Sequence, residues 1–90
     1  MKIEFDPAKR RLTLDERGLD MARANEIFAG ATLTVEDDRR DYGEARFIAI
    51  GRLGGRMVAM VWTRRGATCR VISLRKCNDR EQKAYSPRLA

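Results

Sequence analysis

Apolar and polar residues alternate through much of the second half of the chain, a pattern typical of β-strands. The alternation falls into three segments, residues 46–53, 56–64 and 68–75. Gly54-Gly55 between the first two segments is a good two-residue hairpin turn, and Arg65-Gly66 precedes the third segment. The pattern therefore predicts three consecutive antiparallel strands.

The pairing of these strands decides which side chains share a face of the sheet. If both turns are tight, Leu53 opposes Arg56, and Thr63 opposes both Arg46 and Thr68. One face is then predicted to carry Ile48, Ile50, Ala59, Val61, Ile72 and Leu74, with Arg46, Thr63, Thr68 and Arg70 near one end. The other is predicted to carry Phe47, Met60, Trp62, Val71 and Arg64. Both faces are largely apolar, so we expect other elements to cover both.

The first half of the chain is predicted to begin with a short strand and a helix. Residues 2–5 form the strand. Asp6 can cap the helix and Pro7 suits its first position. The helix continues to about Arg17, because Gly18 can adopt the left-handed conformation that ends it.

A second helix and a further strand are predicted next. Asp20 can cap the helix and Gly30 closes it. One face of this helix carries Met21, Ala24, Ile27 and Phe28. A strand over residues 32–36 then leads into a charged loop over residues 37–44. The loop is interpreted as a solvated connection except at Glu44, which precedes the basic strand.

The end of the chain is predicted to form a short helix. Asn78 and Glu81 have the spacing of a helix cap and a carboxylate that reaches back to it, which predicts a helix over residues 79–85. The order of elements favours an α+β fold, with an antiparallel meander sheet, in one domain over residues 1–90.

Charge is distributed unevenly along the chain. Residues 46–76 contain eight basic residues and no acidic one, and seven of the eight are arginine. Residues 1–45 contain eight basic and eleven acidic residues, although the whole chain has a formal net charge of +6. The planar guanidinium group matches phosphate oxygens, so this segment predicts a phosphate-binding surface. A solvated basic face without a site is the alternative.

The amino-acid composition limits the kinds of catalytic and metal-binding site that the protein can form. The 90 residues contain no histidine, which removes the commonest general acid or base and most transition-metal sites. No metal or cofactor is therefore expected. Cys69 and Cys77 are predicted to be free thiols in a cytoplasmic protein. The longest apolar run, residues 57–62, is too short to span a bilayer, and no membrane association is expected.

Several ordered segments carry a resemblance to a known family. They are residues 5–9 (FDPAK), 24–28 (ANEIF), 36–39 (EDDR), 42–46 (YGEAR), 61–66 (VWTRRG) and 71–78 (VISLRKCN), followed by Arg80, Glu81 and Tyr85. In these segments the chain resembles the BrnT toxins of bacterial type II toxin-antitoxin systems, small ribonucleases of RelE-like fold. The family usually has Lys-His-Gly at the end of its first helix, where this chain has Glu16-Arg17-Gly18. It often has an asparagine before that motif, where Leu14 and Asp15 stand.

The resemblance implies a function and partners. RelE-like toxins cleave RNA without a metal, using the ribose 2′-hydroxyl as the nucleophile on the adjacent phosphate. The implied protein partner is an antitoxin similar to BrnA, a ribbon-helix-helix DNA-binding protein. Operator DNA would be contacted only through that antitoxin.

Such cleavage needs a proton acceptor, cations that stabilise the charged phosphorane, and a proton donor for the departing oxygen. Arg64 and Arg75 are the first candidates for stabilising the transition state, followed by Arg46. Glu44 is a candidate base, or else forms a salt bridge to Arg46 or Arg64. Tyr85 is a candidate proton donor or acceptor, or else a packing residue.

Other basic residues are candidates for contacting RNA without taking part in the chemistry. They are Lys76, Arg70, Arg65 and Arg80. Trp62 could stack on a base, but its predicted apolar neighbours favour a core position. Two alternative functions stay open at this point: a non-catalytic nucleic-acid-binding module, and an inactive toxin that acts as a corepressor with its antitoxin.

Overall fold

The computed structural model describes residues 2–89, and within them five strands form one sheet. The strands are β1 (Lys2–Glu4), β2 (Leu33–Glu36), β3 (Arg46–Leu53), β4 (Arg56–Arg65) and β5 (Thr68–Lys76). Their order across the sheet is β1-β5-β4-β3-β2. The four strands β2 to β5 form an antiparallel meander, whereas β1 pairs in parallel with β5. The predicted α+β class and antiparallel core are confirmed, and the parallel first strand makes the sheet mixed.

Three helices within residues 2–89 have side-chain or glycine caps at several of their ends. They are α1 (Pro7–Arg17), α2 (Ala24–Ala29) and α3 (Asp79–Tyr85). The Asp6 carboxylate accepts a hydrogen bond from the Ala8 amide at 2.8 Å, and Gly18 ends α1 with φ of 68°. Asn78 and Glu81 form the predicted capping box at the start of α3.

The second helix differs from its prediction at its start. Asp20 caps a short 3₁₀ turn, Met21–Arg23, and the α-helical hydrogen bonds begin only at Ala24. A second 3₁₀ turn, Ser86–Arg88, follows α3. No helix within residues 2–89 has the length and apolar character needed to cross a membrane.

The predicted register is confirmed between β3 and β4 but is wrong between β4 and β5. Leu53 opposes Arg56 and Arg46 opposes Thr63, as expected. Thr68, however, opposes Arg65 rather than Thr63, because β4 pairs for two residues more than expected and the chain turns over Gly66, with φ of 60°, and Ala67.

A β-bulge then shifts the register further. Trp62 pairs with Val71 but Val61 pairs with Ser73, so Ile72 is an extra residue in β5. The bulge places Val71 and Leu74 on the same face of the sheet, where both are buried in one cluster. Leu74 was predicted on the opposite face, and this prediction is wrong.

The sheet has a buried cluster on each side. On one side, which we call the α2 face, the strand residues include Phe47, Met60, Trp62 and Leu74, packed against Leu19, Met21, Ala24 and Ile27. On the other side, the α3 face, the strand residues Ile48, Ile50, Met57 and Ala59 pack against Cys77, Tyr85 and Leu89. The sheet therefore lies between two helical layers.

Trp62 and the cysteines belong to this interior. Trp62 lies between Phe28 and Phe47, with ring centroids 5.5 and 5.0 Å from its own, which confirms core packing over base stacking. Cys69 and Cys77 are buried free thiols, as predicted. Burial raises the pKa of the Cys69 thiol to about 11, so it is protonated at neutral pH.

Candidate functional site

A row of polar residues crosses the end of the α3 face that helix α3 does not cover. Arg46 on β3 opposes Thr63 on β4, Thr63 opposes Arg70 on β5, and Arg70 pairs with Glu4 on β1. Residues directly opposite each other share a face, so this row lies on the same side as Ile48 and Ala59. Arg46 on β3 and Arg70 on β5 thus flank Thr63 on β4. The backbones of β3 and β5 are separated by two strand spacings, or about 10 Å.

Thr63 and Arg70 are held by specific contacts. The Thr63 hydroxyl is buried and donates to the Ala45 carbonyl at 2.7 Å, which fixes the start of β3. The Arg70 guanidinium forms an ion pair with Glu4, and its side chain is 28% exposed. The short strand β1 therefore supplies the carboxylate that orients Arg70.

Arg46 is held on two sides. Its Nε donates to the Glu44 carboxylate at 3.3 Å. Its guanidinium carbon lies 4.1 Å from the centre of the Tyr42 ring, within the range of a cation–π contact. The second contact comes from the loop between β2 and β3, which the sequence had not connected with the site.

Glu44 bridges two arginines. Its other carboxylate oxygen lies 3.8 Å from a terminal nitrogen of Arg65, whose side chain is about half exposed. The ion-pair alternative for Glu44 is thus present, with Arg65 in place of Arg64 as the second partner. A base in this position would act between two guanidinium groups.

Arg75 lies on the same face but nearer to α3. It opposes Ala59, and it forms two hydrogen bonds of 2.8 Å to Glu81. The hydrogen bonds from Arg75 lower the pKa of the Glu81 carboxyl to about 2, and the same contact raises the pKa of Arg75. Arg75 therefore links β5 to the cap of α3, with half of its side chain still in solvent.

Asp37 closes the other flank of the site. Its side chain is 1% exposed and accepts hydrogen bonds of 2.7 and 2.8 Å from Arg39. It also accepts one of 3.3 Å from the Tyr42 hydroxyl. The Arg39 hydrogen bonds lower the pKa of Asp37 to about 2. The prediction of a solvated residue at Asp37 is wrong, because no sequence pattern reveals that the loop turns back and buries it.

Arg64 and Lys76 lie on the opposite side of the sheet. The exposed Arg64 guanidinium lies 6.0 Å from the Trp62 ring on the α2 face, and Lys76 opposes the buried Val58 of the same face. Arg75 pairs with Ala59, and Arg64 is five residues along β4 from Ala59. This separation corresponds to about 17 Å along the strand. Arg64 and Arg75 therefore cannot hold the same phosphate group.

The remaining candidates lie on α3. Tyr85 is half-buried and packs beside the cluster that contains Ile50, whereas Arg80 is exposed. Within residues 2–89, no three His, Cys, Asp or Glu side chains gather in an arrangement that could hold a metal ion. The structure thus brings Arg46, Glu44, Arg65, Arg70 and Arg75 to one face, whereas Tyr85 and Arg80 belong to α3.

Fold and site together define a small basic α+β protein whose sheet carries an arginine-rich, carboxylate-braced open face. The chain belongs to the family described as "Ribonuclease toxin, BrnT, of type II toxin-antitoxin system", whose model matches residues 5–81. This confirms the resemblance found in the sequence, and the family implies an RNA substrate and an antitoxin partner. The matched region contains every candidate site residue except Tyr85. A search of curated proteins found no match.

Proposed function

We propose that this chain is an active endoribonuclease toxin of RelE-like fold and that RNA is cleaved on the open part of the α3 face. The observation that carries the proposal is the gathering of Arg46, Arg65, Arg70 and Glu44 around Thr63. This set combines cations for a phosphate with a carboxylate beside them. It also lies within the region that matches the toxin family.

The carboxylates do not use all the donors of these arginines. A guanidinium group has five N–H donors, and the contact with Glu44 occupies one edge of Arg46. The remaining donors of Arg46 and Arg70 can converge on one phosphate, because the two strands lie on either side of β4. The carboxylates would keep the two guanidinium groups oriented before RNA binds.

The proposed reaction needs no metal. The ribose 2′-oxygen attacks the adjacent phosphorus and the bond to the 5′-oxygen breaks, leaving a 2′,3′-cyclic phosphate and a free 5′-hydroxyl. Glu44 accepts the 2′ proton, Arg46 and Arg70 stabilise the charged phosphorane, and water protonates the departing oxygen, because Tyr85 packs beside Ile50 at the α3 end of the sheet. Arg75, Arg65 and Arg80 bind neighbouring phosphates.

The cognate antitoxin would neutralise the toxin by covering this face. Its chemistry should include carboxylates that replace RNA phosphates at Arg46 and Arg70, together with apolar side chains. We propose a partner similar to BrnA, which would bring the complex to operator DNA. Expressing the chain alone should arrest growth, and the adjacent small gene should restore it; harmless expression at high level would contradict neutralisation.

The decisive experiment compares arginine-to-lysine variants, because lysine keeps the charge but loses the planar fork. Arg46→Lys and Arg70→Lys should bind RNA within a few fold of the native affinity and slow cleavage by about two orders of magnitude. Cleavage of a labelled RNA by purified protein measures the rate. The products should end in 2′,3′-cyclic phosphates and form equally fast in EDTA.

Two further variants make the experiment specific for the α3 face. Arg11→Lys, an exposed change on α1, controls for the loss of any arginine. Arg64→Lys tests the α2 face and should leave the rate within a few fold. A large loss at Arg64 with no loss at Arg46 and Arg70 would move the site to the other face. If the native protein binds RNA without cutting it, the non-catalytic alternative replaces the proposal.

A further inference from the structure

Asp37 is the one buried carboxylate among residues 2–89. Burying a charge is unfavourable unless hydrogen bonds replace its hydration. Asp37 lies just after β2. The burial of Asp37 therefore needs an explanation, and the groups that contact it provide one.

The contacts of Asp37 gather the loop around Arg46. The Asp37 amide donates to the Arg46 carbonyl at 2.7 Å, so the backbone of Asp37 lies beside the start of β3. Its carboxylate accepts from Arg39 and from the Tyr42 hydroxyl. Asp37 thus connects two loop residues, Arg39 and Tyr42, to the strand that carries Arg46.

Tyr42 places its ring against the Arg46 guanidinium. The distance of 4.1 Å is the shortest cation-to-ring distance among residues 2–89. The hydroxyl of the same tyrosine is tied to Asp37, so the ring cannot rotate away without losing that hydrogen bond. Glu44 then receives the Nε–H of Arg46 at 3.3 Å, which sets the rotation of the guanidinium in its plane.

We propose that Asp37 and Tyr42 are positioning residues for Arg46. Asp37 holds Tyr42, and the Tyr42 ring holds the guanidinium plane so that its free edge faces the space above Thr63. This inference rests on the proposed RNA cleavage for its effect on rate, although the geometry itself can be measured without RNA. Tyr42 and Asp37 do not touch the substrate in this arrangement.

The rate test separates the ring from the hydroxyl. Tyr42→Leu removes the ring and should lower kcat by about ten- to a hundredfold, the cost typical of a misplaced catalytic group, with little change in KM. Tyr42→Phe keeps the ring and loses one hydrogen bond, so it should recover most of that loss and remain about two- to tenfold below native. Tyr42→Met replaces Tyr42→Leu if the latter fails to fold.

A double-mutant cycle tests whether Tyr42 acts through Arg46. In an Arg46→Ala background, Tyr42→Leu should lower kcat by less than about twofold, because the group it positions is gone. Phe5→Leu is the matched control. The guanidinium carbon of Arg10 lies 5.8 Å from the centre of the Phe5 ring, which is the same kind of cation–π contact but away from the α3 face. Phe5→Leu should leave kcat unchanged. Equal losses from Tyr42→Leu in both backgrounds would overturn the inference.

A spectroscopic measurement distinguishes failure of this inference from failure of the proposed function. The Nε–H of Arg46 should give a slowly exchanging NMR signal in the native protein and in Tyr42→Phe, and the signal should broaden away in Tyr42→Leu. If the native protein cuts no RNA but the signal behaves in this way, the proposed function fails and the positioning stands. If Tyr42→Leu keeps both the signal and the native rate, the positioning is wrong.

Discussion

At the scale of single residues, Arg17 stands where the resemblance to the BrnT family implies a histidine. Its guanidinium donates to the Leu74 carbonyl at 2.8 Å and so fastens the end of α1 to β5. Leu74 lies four residues along β5 from Arg70, or about 13 Å. The position is therefore remote from the row that contains Arg46 and Arg70, and its arginine has a structural role.

Restoring the family residue tests this explanation. Arg17→His should change the rate of RNA cleavage by no more than a few fold and should destabilise the protein by about 1 kcal/mol through the lost hydrogen bond to Leu74. Cleavage assays and urea unfolding at pH 7 measure the two quantities. A rise in rate of a hundredfold or more would instead mean that position 17 takes part in the chemistry.

At the scale of elements, the sequence predicted those features that depend on neighbouring residues. The caps at Asp6 and Asn78 and the Gly54-Gly55 turn are local, and each lies where its residue types require. The bulge at Ile72 and the parallel pairing of β1 depend on contacts between distant segments, which no local pattern encodes.

The candidate site shows the same division. The strand arginines were recognised from composition, but their faces depended on the register, so Arg64 was grouped with Arg75 although they lie on opposite faces. Asp37 and Tyr42 were missed because a charged loop has no periodicity from which burial could be read.

The α3 cap gives a prediction about pH. The pKa of Glu81 is lowered from 4.5 to about 2 in the folded protein, so its contribution to stability is fully present above pH 4.5 and is lost as the pH falls towards 2. The difference in unfolding free energy between the native protein and Glu81→Gln should therefore be largest above pH 4.5 and shrink towards pH 2. Urea unfolding at several pH values measures it.

The control for this prediction is Glu16→Gln on α1, because Glu16 forms no ion pair within residues 2–89. Its difference from the native protein should stay nearly constant over the same range. A Glu81→Gln difference that grows on acidification would contradict the sign of the argument and the role of the Arg75 contact.

At the scale of the whole molecule, the excess of basic charge is divided between two faces. The α3 face pairs Arg39, Arg46, Arg65, Arg70 and Arg75 with Asp37, Glu44, Glu4 and Glu81. On the α2 side, Arg56 donates to the Gly18 carbonyl, while Arg64 and Lys76 are exposed. The net charge of +6 would therefore attract RNA generally, and the paired arginines of the α3 face would provide the shape of the proposed site.

RNA binding should consequently depend strongly on salt, because displaced counterions enter solution. If Arg70 contacts a phosphate, Arg70→Gln should reduce the slope of log affinity against log salt concentration by about 0.7, the value for one contact with a single strand. Arg11→Gln removes an equal charge from α1 and should leave the slope almost unchanged. A native affinity that hardly varies between low and physiological salt would exclude a phosphate-dominated interaction.

The parallel pairing of β1 with β5 also affects when the protein can become functional during synthesis. Glu4, which orients Arg70, is separated from it by 66 residues. At about 5–20 residues per second, a ribosome needs roughly 3–13 s to make the intervening chain. The first strand cannot pair until the fifth strand has been made, so the Arg46–Thr63–Arg70 row cannot assemble before that point. A chain that ends before Thr68 has no strand for β1 to join, and the proposed cleavage site is completed only after β5 has been synthesised.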